Sequence, residues 1–307
     1  MRMEKAIVTG ADGFVGSHTV KYFLDNGVTV LAIGRLDVPK RLEAHPLLTY
    51  LQADVSETGA LVEAIPKGVY DTFVHFAWTG SAGPRRFDYR LQMENALQTV
   101  DCLKAAASLG CGRFVCAGSI MEKEIEAAVH SRGAKPGMGY VYGIGKHTAH
   151  FLCQTVAAEA HIDLIWPMIT NAYGIGEYSP RFINTTLRKI FQGEPLQFTA
   201  ATQNYDFVYV TDVARAFYLI AQKGKPFCEY TIGSGNARPL RAFLLEMGRE
   251  ICPDREMVFG DIPYTGVSMP LSAFSTDDLQ NDCGYRAEIP FSEGTRMVYE
   301  WIQTFQG

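Results

Sequence analysis

The amino-acid sequence predicts an α/β fold, a Rossmann-type doubly wound parallel sheet joined to a smaller, mixed C-terminal substrate lobe. Two observations predict it. Short apolar, β-branched runs alternate with amphipathic stretches of helical length through the first 170 residues, which is typical of a parallel sheet covered by helices on both faces. A glycine-rich turn, TGADGFVG, directly follows the first of these runs, where such folds bind a dinucleotide.

The apolar runs predict six strands, and the stretches between them predict four helices with apolar residues near the 3.6-residue period. The strands are expected at 6–9, 29–33, 48–53, 72–77, 113–117 and 163–168, and the helices at 14–26, 57–65, 89–109 and 142–160. Beyond Asn171 the alternation gives way to short mixed elements, with a helix near 181–192 and two terminal helices. We expect a dinucleotide-binding domain over 1–170 and a substrate lobe over 171–307, some of whose segments return to the first domain.

Composition and charge narrow the classes of partner. The chain has 307 residues, is 47% hydrophobic and 20% charged, and carries a formal net charge of −5. A nucleic-acid site needs a concentrated basic face, and the sequence shows none. The segment before residue 6 is too short for a signal sequence, and no apolar run approaches a membrane span. The seven cysteines have no metal-ligand spacing and are typical of reduced thiols. We expect a cytoplasmic protein without nucleic-acid, membrane or metal partners.

The glycine-rich turn predicts the cofactor site. Gly10, Gly13 and Gly16 lie between the first strand and the first helix, where they allow a tight turn, close approach of a pyrophosphate and close packing of helix on strand. Backbone N–H groups at the start of the helix, around Phe14 and Val15, then face the phosphates. A glycine triplet alone also suits an ordinary turn, but its place after the first strand favours dinucleotide binding.

The end of the second predicted strand favours NADP(H) over NAD(H). Enzymes that bind NAD place an Asp or Glu there, because a carboxylate accepts hydrogen bonds from the 2′-hydroxyl of the ribose. This strand ends instead in Arg35, whose guanidinium matches a 2′-phosphate. The alternative is that Arg35 is a solvated loop residue and Asp37 contacts the ribose.

The segment GYVYGIGKH, residues 139–147, allows two interpretations. A phosphate-binding P-loop requires a glycine where Tyr140 stands and a hydroxyl residue where His147 stands, so that interpretation fails. Tyr142 and Lys146 are four residues apart and would share one helix face. A nearby ammonium favours the phenolate form of a tyrosine and suits it to proton transfer at neutral pH. An incidental surface pair is the alternative.

Ser119 strengthens the catalytic interpretation. It follows the strand RFVCAG at its carboxyl end, the end at which parallel sheets bind ligands. Alone it would be an ordinary turn or cap residue. A glycine loop, a serine after a strand and a Tyr-x-x-x-Lys pair, in that order, form a much more specific set that predicts Ser119, Tyr142 and Lys146 as catalytic residues.

With these motifs the sequence resembles the extended short-chain dehydrogenase/reductases, in the branch that acts on nucleotide-sugars. The resemblance extends over nearly the whole chain and rests on TGADGFVG, Asp54-Val55, VHFA at 74–77, Asn95 in MENALQTVDCLKAA, RFVCAGS, Tyr142 with Lys146, TNAYG at 170–174, YDFVYVTDVARA and YTIGSG. It implies hydride transfer at the sugar, with Tyr142 as the acid/base, Ser119 orienting the reacting oxygen and Lys146 holding the cofactor ribose.

The resemblance further implies positions for other groups. Asp54 and Val55 would lie at the adenine, the Ala77 backbone and Asn95 near the cofactor, and Asn171 in the wall of the active site. It also implies a homodimer packed through the helices predicted near 89–109 and 142–160.

Departures from the family pattern shape the expected reaction. Sugar 4,6-dehydratases of the family place an Asp-Glu pair directly after the serine position, where this chain has Ile120 and Met121, so water elimination is not expected. The arginine that usually precedes Asp206 and contacts the substrate diphosphate is Tyr205. The candidates that could replace it are Arg181, Arg188 and Arg238. Trp78 lies in the segment that forms a loop over the sugar in members of the family. Its ring could stack on the sugar or the nicotinamide, or serve as a lid or core residue.

Three functions stay open from the sequence. The first is an NADP(H)-dependent reductase of a nucleotide-linked keto-deoxysugar, favoured because Arg35 points to NADPH, the usual donor in reductions. The second is a nucleotide-sugar 4-epimerase, which would use the same three residues and recycle its NAD(P). The third, from another class, is a non-catalytic NADP(H)-sensing protein, which would have no need of the Ser119, Tyr142 and Lys146 set.

Overall fold

A parallel sheet forms the centre of the molecule. The computed structural model describes residues 3–129, 132–133, 135–264 and 266–306. Its strands are β1 (Lys5–Thr9), β2 (Thr29–Gly34), β3 (Leu48–Gln52), β4 (Thr72–His75), β5 (Arg113–Cys116), β6 (Gly118–Ser119), β7 (Asp163–Ile169), β8 (Asn171–Tyr173), β9 (Asn204–Tyr205), β10 (Phe207–Tyr209), β11 (Glu229–Ile232) and β12 (Arg238–Pro239). The main sheet has the order β3-β2-β1-β4-β5-β7-β11, with β6 also paired to β7. All of its pairs are parallel.

Helices cover both faces of this sheet. They are α1 (Phe14–Asp25), α2 (Thr58–Ala64), α3 (Tyr89–Ser108), α4 (Met121–Val129), α5 (Val141–Glu159), α6 (Phe182–Phe191), α7 (Val210–Lys223), α8 (Leu240–Ile251), α9 (Asp277–Cys283) and α10 (Phe291–Gln306). In β1, Val8 faces a core shared with α1 and α7, whereas Ile7 faces a core shared with α3 and α5. This alternation follows from the two-residue period of a strand.

The strand order places the ligand-binding edge. The chain runs outward from β1 to β3 and then crosses to β4 on the other side of β1. Ligands of open α/β sheets bind at such a reversal, outside the carboxyl ends of the strands. The glycine turn after β1 and the segments after β2, β4 and β5 therefore meet at one edge.

The C-terminal part divides between two places. A third core, with Leu187, Phe207 and Phe243, lies among α6, α8 and α10, next to the parallel pair β8 and β10 and the antiparallel pair β9 and β12. In contrast, β11 extends the main sheet, and α7 and α9 contribute Phe217 and Leu279 to one of its cores. The boundary at residue 170 stays a prediction.

The predicted fold class is confirmed by the parallel sheet and its two helical layers. The six strands and five helices predicted up to residue 192 agree with the structure within two residues at each end. Helix α4, which follows Ser119, was not predicted. All seven cysteines are free. Among the described residues, no helix has the length and apolarity needed to cross a membrane.

Candidate active site

A cavity of about 560 Å³ opens at the carboxyl ends of β1, β2, β4 and β5. Every residue that the sequence predicts for the cofactor lines it: Gly10, Gly13, Phe14, Val15, Gly16, Arg35, Asp54, Val55, Ala77, Asn95, Tyr142 and Lys146. Residues from six separate segments of the chain thus surround one space. The cavity is the candidate dinucleotide site.

The turn between β1 and α1 fits a dinucleotide phosphate. Gly10 has φ +64°, and a Cβ there would lie 2.7 Å from the backbone nitrogen of Ala77, so only glycine suits the position. A Cβ on Gly16 would overlap the carbonyl oxygen of Gly10. Helix α1 begins at Phe14 with no side-chain cap, so its first N–H groups remain available to an anion.

The rim of the cavity at the end of β2 is basic. Arg35 and Arg41 both line the cavity. The carboxylate of Asp12, in the glycine turn, accepts hydrogen bonds from the backbone N–H groups of Lys40 (2.9 Å) and Arg41 (2.6 Å). Arg41 in turn donates to the carbonyl oxygen of Asp12 at 3.1 Å. This fixes the loop after β2 over the turn, with two guanidinium groups at the cavity.

Tyr142 and Lys146 lie on the first turns of α5 and both line the cavity. The ammonium of Lys146 is buried, donates to the carbonyl oxygen of Ala117 (2.8 Å) and lies 3.7 Å from the centre of the Trp78 ring. Trp78 meets the Tyr142 ring edge to face, with 6.1 Å between ring centres. The cation over the Tyr142 ring is Arg86, whose guanidinium carbon lies 4.6 Å from the ring centre.

The loop that carries Trp78 and Arg86 is held by two buried amides on α3. Gln92 accepts from Trp78 Nε1 (2.7 Å) and donates to the carbonyl oxygens of Gly80 (3.2 Å) and Arg85 (3.1 Å). Asn95 exchanges two hydrogen bonds with the backbone of Thr79, at 2.9 and 2.8 Å. The loop over Tyr142 is therefore anchored by side-chain hydrogen bonds.

Ser119 lies beside the cavity and is not itself among the residues that line the described cavities. It is 8% exposed, and its neighbour Gly118 lines the cavity. Its Oγ accepts a hydrogen bond from the N–H of Met121 at 3.3 Å, which leaves its own O–H to donate to a substrate oxygen.

A second cavity, of about 390 Å³, adjoins the first and shares Ser81, Ala82 and Arg181 with it. Asn171 lines it, and so does Tyr205, which stacks on Phe207 with 5.6 Å between ring centres. Further walls come from Phe182, Phe198 and Tyr264. Aromatic walls beside the dinucleotide cavity suit a nucleoside and a sugar.

The structure separates the candidate arginines. Arg181 lines both cavities and pairs with Glu177 at 2.8 Å. Arg188 donates to the carbonyl oxygen of Glu177, and Arg238 pairs with Glu246 and covers the Phe243 ring, 4.1 Å from its centre. Neither of these two is among the residues that line the described cavities. Arg238 is therefore engaged in packing, and of the three only Arg181 is at the site.

Arg86 is a residue that the sequence did not single out. It lines the second cavity, its Nε is buried without a hydrogen-bond partner, and the described residues give it no ion pair within 4 Å. Burial lowers the pKa of its guanidinium, which faces Tyr142, Arg181 and Glu124. A partly buried guanidinium that contacts an aromatic ring but forms no ion pair keeps N–H groups for an anionic ligand. Nothing in the motif around it, GPRRF, distinguishes it from Arg85.

Across the described residues, no group of three or more His, Cys, Asp or Glu side chains could hold a metal ion.

Comparison with protein families gives a match over most of the chain. The model of the NAD dependent epimerase/dehydratase family matches residues 6–233. Among curated proteins, the chain is similar to human dTDP-D-glucose 4,6-dehydratase, with 22% identity over 98% of this chain and 90% of that protein.

Solved structures show the same similarity. The structure of MoeE5 in complex with UDP-glucuronic acid and NAD has a TM-score of 0.80 and 25% identity, covering 98% of this chain and 99% of that one. A UDP-N-acetylglucosamine 4-epimerase from Methanobrevibacter ruminantium M1, in complex with UDP-N-acetylmuramic acid, has a TM-score of 0.80 and 18% identity over the full length of both chains. At 18% identity this second likeness concerns the fold alone.

Proposed function

Because the chain belongs to the NAD dependent epimerase/dehydratase family, we propose that it is an NADP(H)-dependent reductase of a nucleotide-linked keto-deoxysugar. Membership confirms the resemblance and the NAD(P)-dependent enzyme class that the motifs predicted. The observation that carries the reaction is the meeting of Tyr142, Lys146 and the glycine turn in one cavity, with a substrate-sized cavity beside it.

The preference for NADP(H) rests on the rim after β2. Arg35 and Arg41 line the cavity there, whereas Asp37 is exposed and is not among the lining residues. Two guanidinium groups attract a 2′-phosphate, and the position directly after the strand, where NAD enzymes carry an Asp or Glu, is Arg35. MoeE5 was solved with NAD, so NAD(H) remains the alternative that the cofactor titration below tests.

The chemistry follows from Tyr142 and Lys146, which line the dinucleotide cavity, and from Ser119 beside it. Bound NADPH would supply the hydride. Tyr142 donates its phenolic proton to the oxygen that becomes an alkoxide as the carbonyl carbon is reduced. Ser119 donates a hydrogen bond to that oxygen and orients it. Lys146, held by Ala117 and Trp78, contributes a buried positive charge and binds the ribose next to the nicotinamide.

The substrate's diphosphate is assigned to Arg86 and Arg181, the two arginines that line the second cavity. They take the place of the arginine absent at Tyr205. Asn171 donates to the carbonyl oxygen of Asp206 at 3.0 Å and forms the wall next to them. The aromatic residues of the same cavity receive the base.

The same residues would serve a 4-epimerase, which the family match also favours. The two reactions differ in their use of cofactor, because an epimerase regenerates it in each cycle whereas a reductase consumes one NADPH for each product. Loss of NADPH absorbance with UDP- and dTDP-linked 4-keto sugars would identify the reductase. Interconversion of C4 epimers without net loss would identify the epimerase.

The assigned mechanism is tested by Tyr142→Phe. The variant keeps the ring that contacts Arg86 and Trp78 and loses only the hydroxyl, so cofactor binding should stay near that of the wild type while turnover falls by about 100-fold or more. Binding is followed by NADPH fluorescence and turnover by absorbance. Unchanged turnover would contradict the role given to Tyr142, whereas a wild type that binds NADPH but turns over none of these sugars would favour a protein that senses NADP(H) without catalysis.

The outer faces of α3 and α5 support a homodimer. These helices pack against each other over the sheet, and their outer faces expose Leu97 (60%), Phe151 (53%) and Leu152 (39%). Exposed apolar side chains on two adjacent helices favour burial against a second copy. We include this dimer in the proposal. A cytoplasmic location stays a prediction.

A further inference from the structure

Glu122 is a buried carboxylate directly behind the active site. It is 2% exposed and lies at the start of α4. Its Oε1 accepts from the backbone N–H of Ser119 at 2.8 Å, and its Oε2 lies 3.0 Å from Trp166 Nε1 and 3.2 Å from His150 Nδ1. A charge buried to this degree requires such partners. One of the three is the backbone of the predicted catalytic serine.

Part of this arrangement is an ordinary helix cap. Ser119 and Glu122 form the S-x-x-E pattern of a capping box, in which the glutamate side chain reaches back to the N–H of the first residue. The rest is not explained by capping. The His150 ring is stacked on Trp166 with 4.4 Å between ring centres and 1° between planes, and its Nε2 lies 3.6 Å from Glu229. A cap needs neither the indole nor the imidazole, so they serve to fix the Glu122 side chain.

The wall between this cluster and the cofactor cavity is one strand thick. Gly118 lines the cavity, and a Cβ there would overlap Trp166 Nε1 and lie 2.8 Å from Glu122 Oε1. A displacement of the carboxylate would therefore disturb Gly118 and Ser119, since tightly packed groups do not move independently.

We propose that Glu122 is a positioning residue for catalysis, whose carboxylate, anchored by Trp166 and His150, fixes the backbone of Ser119 and so the direction of its hydroxyl. This inference rests on the proposed function, because it assumes that Ser119 orients the reacting oxygen. Glu122 itself lies on the far side of the strand and lines a different cavity. It acts through Ser119 and touches neither cofactor nor substrate.

The chain contains a matched control one helical turn away. Glu126 is on the same helix, faces His147 of α5 at 4.0 Å and is 58% exposed. Removing it also deletes a Glu–His contact between α4 and α5 but leaves Ser119 untouched. Glu126→Ala therefore measures what the loss of a Glu–His contact between α4 and α5 does to turnover. Because Glu122 is buried and Glu126 exposed, the cycle with Ser119 below is what separates positioning from a general structural cost.

The test is a double-mutant cycle on turnover of dTDP- or UDP-linked 4-keto-6-deoxyglucose with NADPH. Glu122→Ala should lower kcat by about 10- to 100-fold, the cost of a small misplacement of a catalytic group, with KM values and NADPH affinity near those of the wild type. Glu122→Gln should keep most of the wild-type kcat, because the amide oxygen still accepts the hydrogen bond from the backbone N–H of Ser119. In a Ser119→Ala background, Glu122→Ala should change kcat by less than about twofold, since residues that act as one unit are not additive.

Either of two results with the Glu122→Ala variant's kcat would overturn the inference: a full multiplicative loss in the Ser119→Ala background, or a kcat equal to that of Glu126→Ala. If Glu122→Ala does not fold, Trp166→Phe removes an anchoring donor instead, and an unchanged kcat would count against positioning in the same way. Hydrogen exchange at the Ser119 amide gives a readout without substrate, and should accelerate in Glu122→Ala but not in Glu126→Ala. Unchanged kcat in Ser119→Ala alone would refute the role given to Ser119, and the absence of NADPH oxidation by the wild type would refute the proposed function, whereas unchanged exchange would refute the inference.

Discussion

Replacement of Arg86 by Gln tests the assignment of the substrate's diphosphate. Arg86 lines the second cavity, and its Nε is buried without a partner. A hydrogen bond between charged groups contributes about 1.5–3 kcal/mol, which corresponds to an increase of about 10- to 150-fold in Kd when it is lost. We expect this increase for a nucleoside diphosphate, and a much smaller one for the monophosphate that lacks the second charge.

The stability of the ligand-free protein should not fall when Arg86 is replaced by Gln. Removing one partner of a paired buried charge destabilises a protein, but removing an unpaired buried charge relieves its desolvation cost. The free energy of unfolding of Arg86→Gln, measured by denaturant without ligand, should therefore equal or exceed that of the wild type. Loss of affinity together with undiminished stability would separate ligand binding from a structural role.

The control for this experiment is Arg85→Gln, because Arg85 is adjacent in the same loop but exposed. Binding is measured by calorimetric titration with UDP, dTDP, CDP and GDP, and then with the monophosphate of whichever binds most tightly. The assignment is refuted if Arg86→Gln binds that diphosphate as tightly as Arg85→Gln does. Equal losses for diphosphate and monophosphate would also refute it.

Three further predictions concern the cofactor, the core and the dimer. Arg35→Ala should weaken NADP(H) binding and leave NAD(H) binding unchanged in fluorescence titrations, and an equal effect on both would exclude contact with the 2′-phosphate. Burial lowers the pKa of His75 from 6.5 to about 3, so as the pH falls the unfolded chain protonates this side chain before the folded chain does. The free energy of unfolding should therefore decrease by about 2 kcal/mol between pH 7 and pH 5. In His75→Asn, the free energy of unfolding measured by denaturation should not show this decrease of about 2 kcal/mol. Leu97→Asp should convert a dimer to a monomer in sedimentation equilibrium, whereas a monomeric wild type would contradict the proposed interface.

The elements of the dinucleotide cavity could be predicted because each is local in sequence. The glycine turn has its spacing set by one strand-to-helix connection, and strand ends carry Arg35, Asp54 and Ala77 to a common edge once the sheet is parallel. Hydrophobic periodicity placed the strands and helices without reference to distant contacts. The structure therefore has these strands, helices and turn where the sequence pattern predicts them.

The direction of a long side chain is a different matter. The spacing of Tyr142 and Lys146 correctly placed both on one face of α5, and it suggested that the ammonium approaches the phenol. In the structure the ammonium lies against Ala117 and the Trp78 ring, and Arg86 covers the phenol ring. An i, i+4 spacing fixes the positions of two Cβ atoms, whereas a four-carbon chain ends where partners from other elements attract it.

Glu122 shows how a visible signal can be missed. The S-x-x-E pattern that begins at Ser119 predicts a helix start, and the helix is there. No local pattern predicts the hydrogen-bond partners of the carboxylate, because His150 and Trp166 are 28 and 44 residues away along the chain. Only the packing of α5 and β7 behind β6 brings them to it.

The same turn gives a physical reason for the absence of water elimination from the proposed reaction. The dehydratases of the family place two acidic groups directly after the serine position, and those places are Ile120 and Met121 here. Ile120 is buried against Met269 and Phe274, so an apolar cluster fills the space beside the serine. The nearest carboxylate in sequence, Glu122, is turned to the opposite side of the strand by the helix that it caps. A carboxylate held there by the Ser119 backbone cannot also reach a sugar, so the proposed reaction assigns its proton transfer to Tyr142.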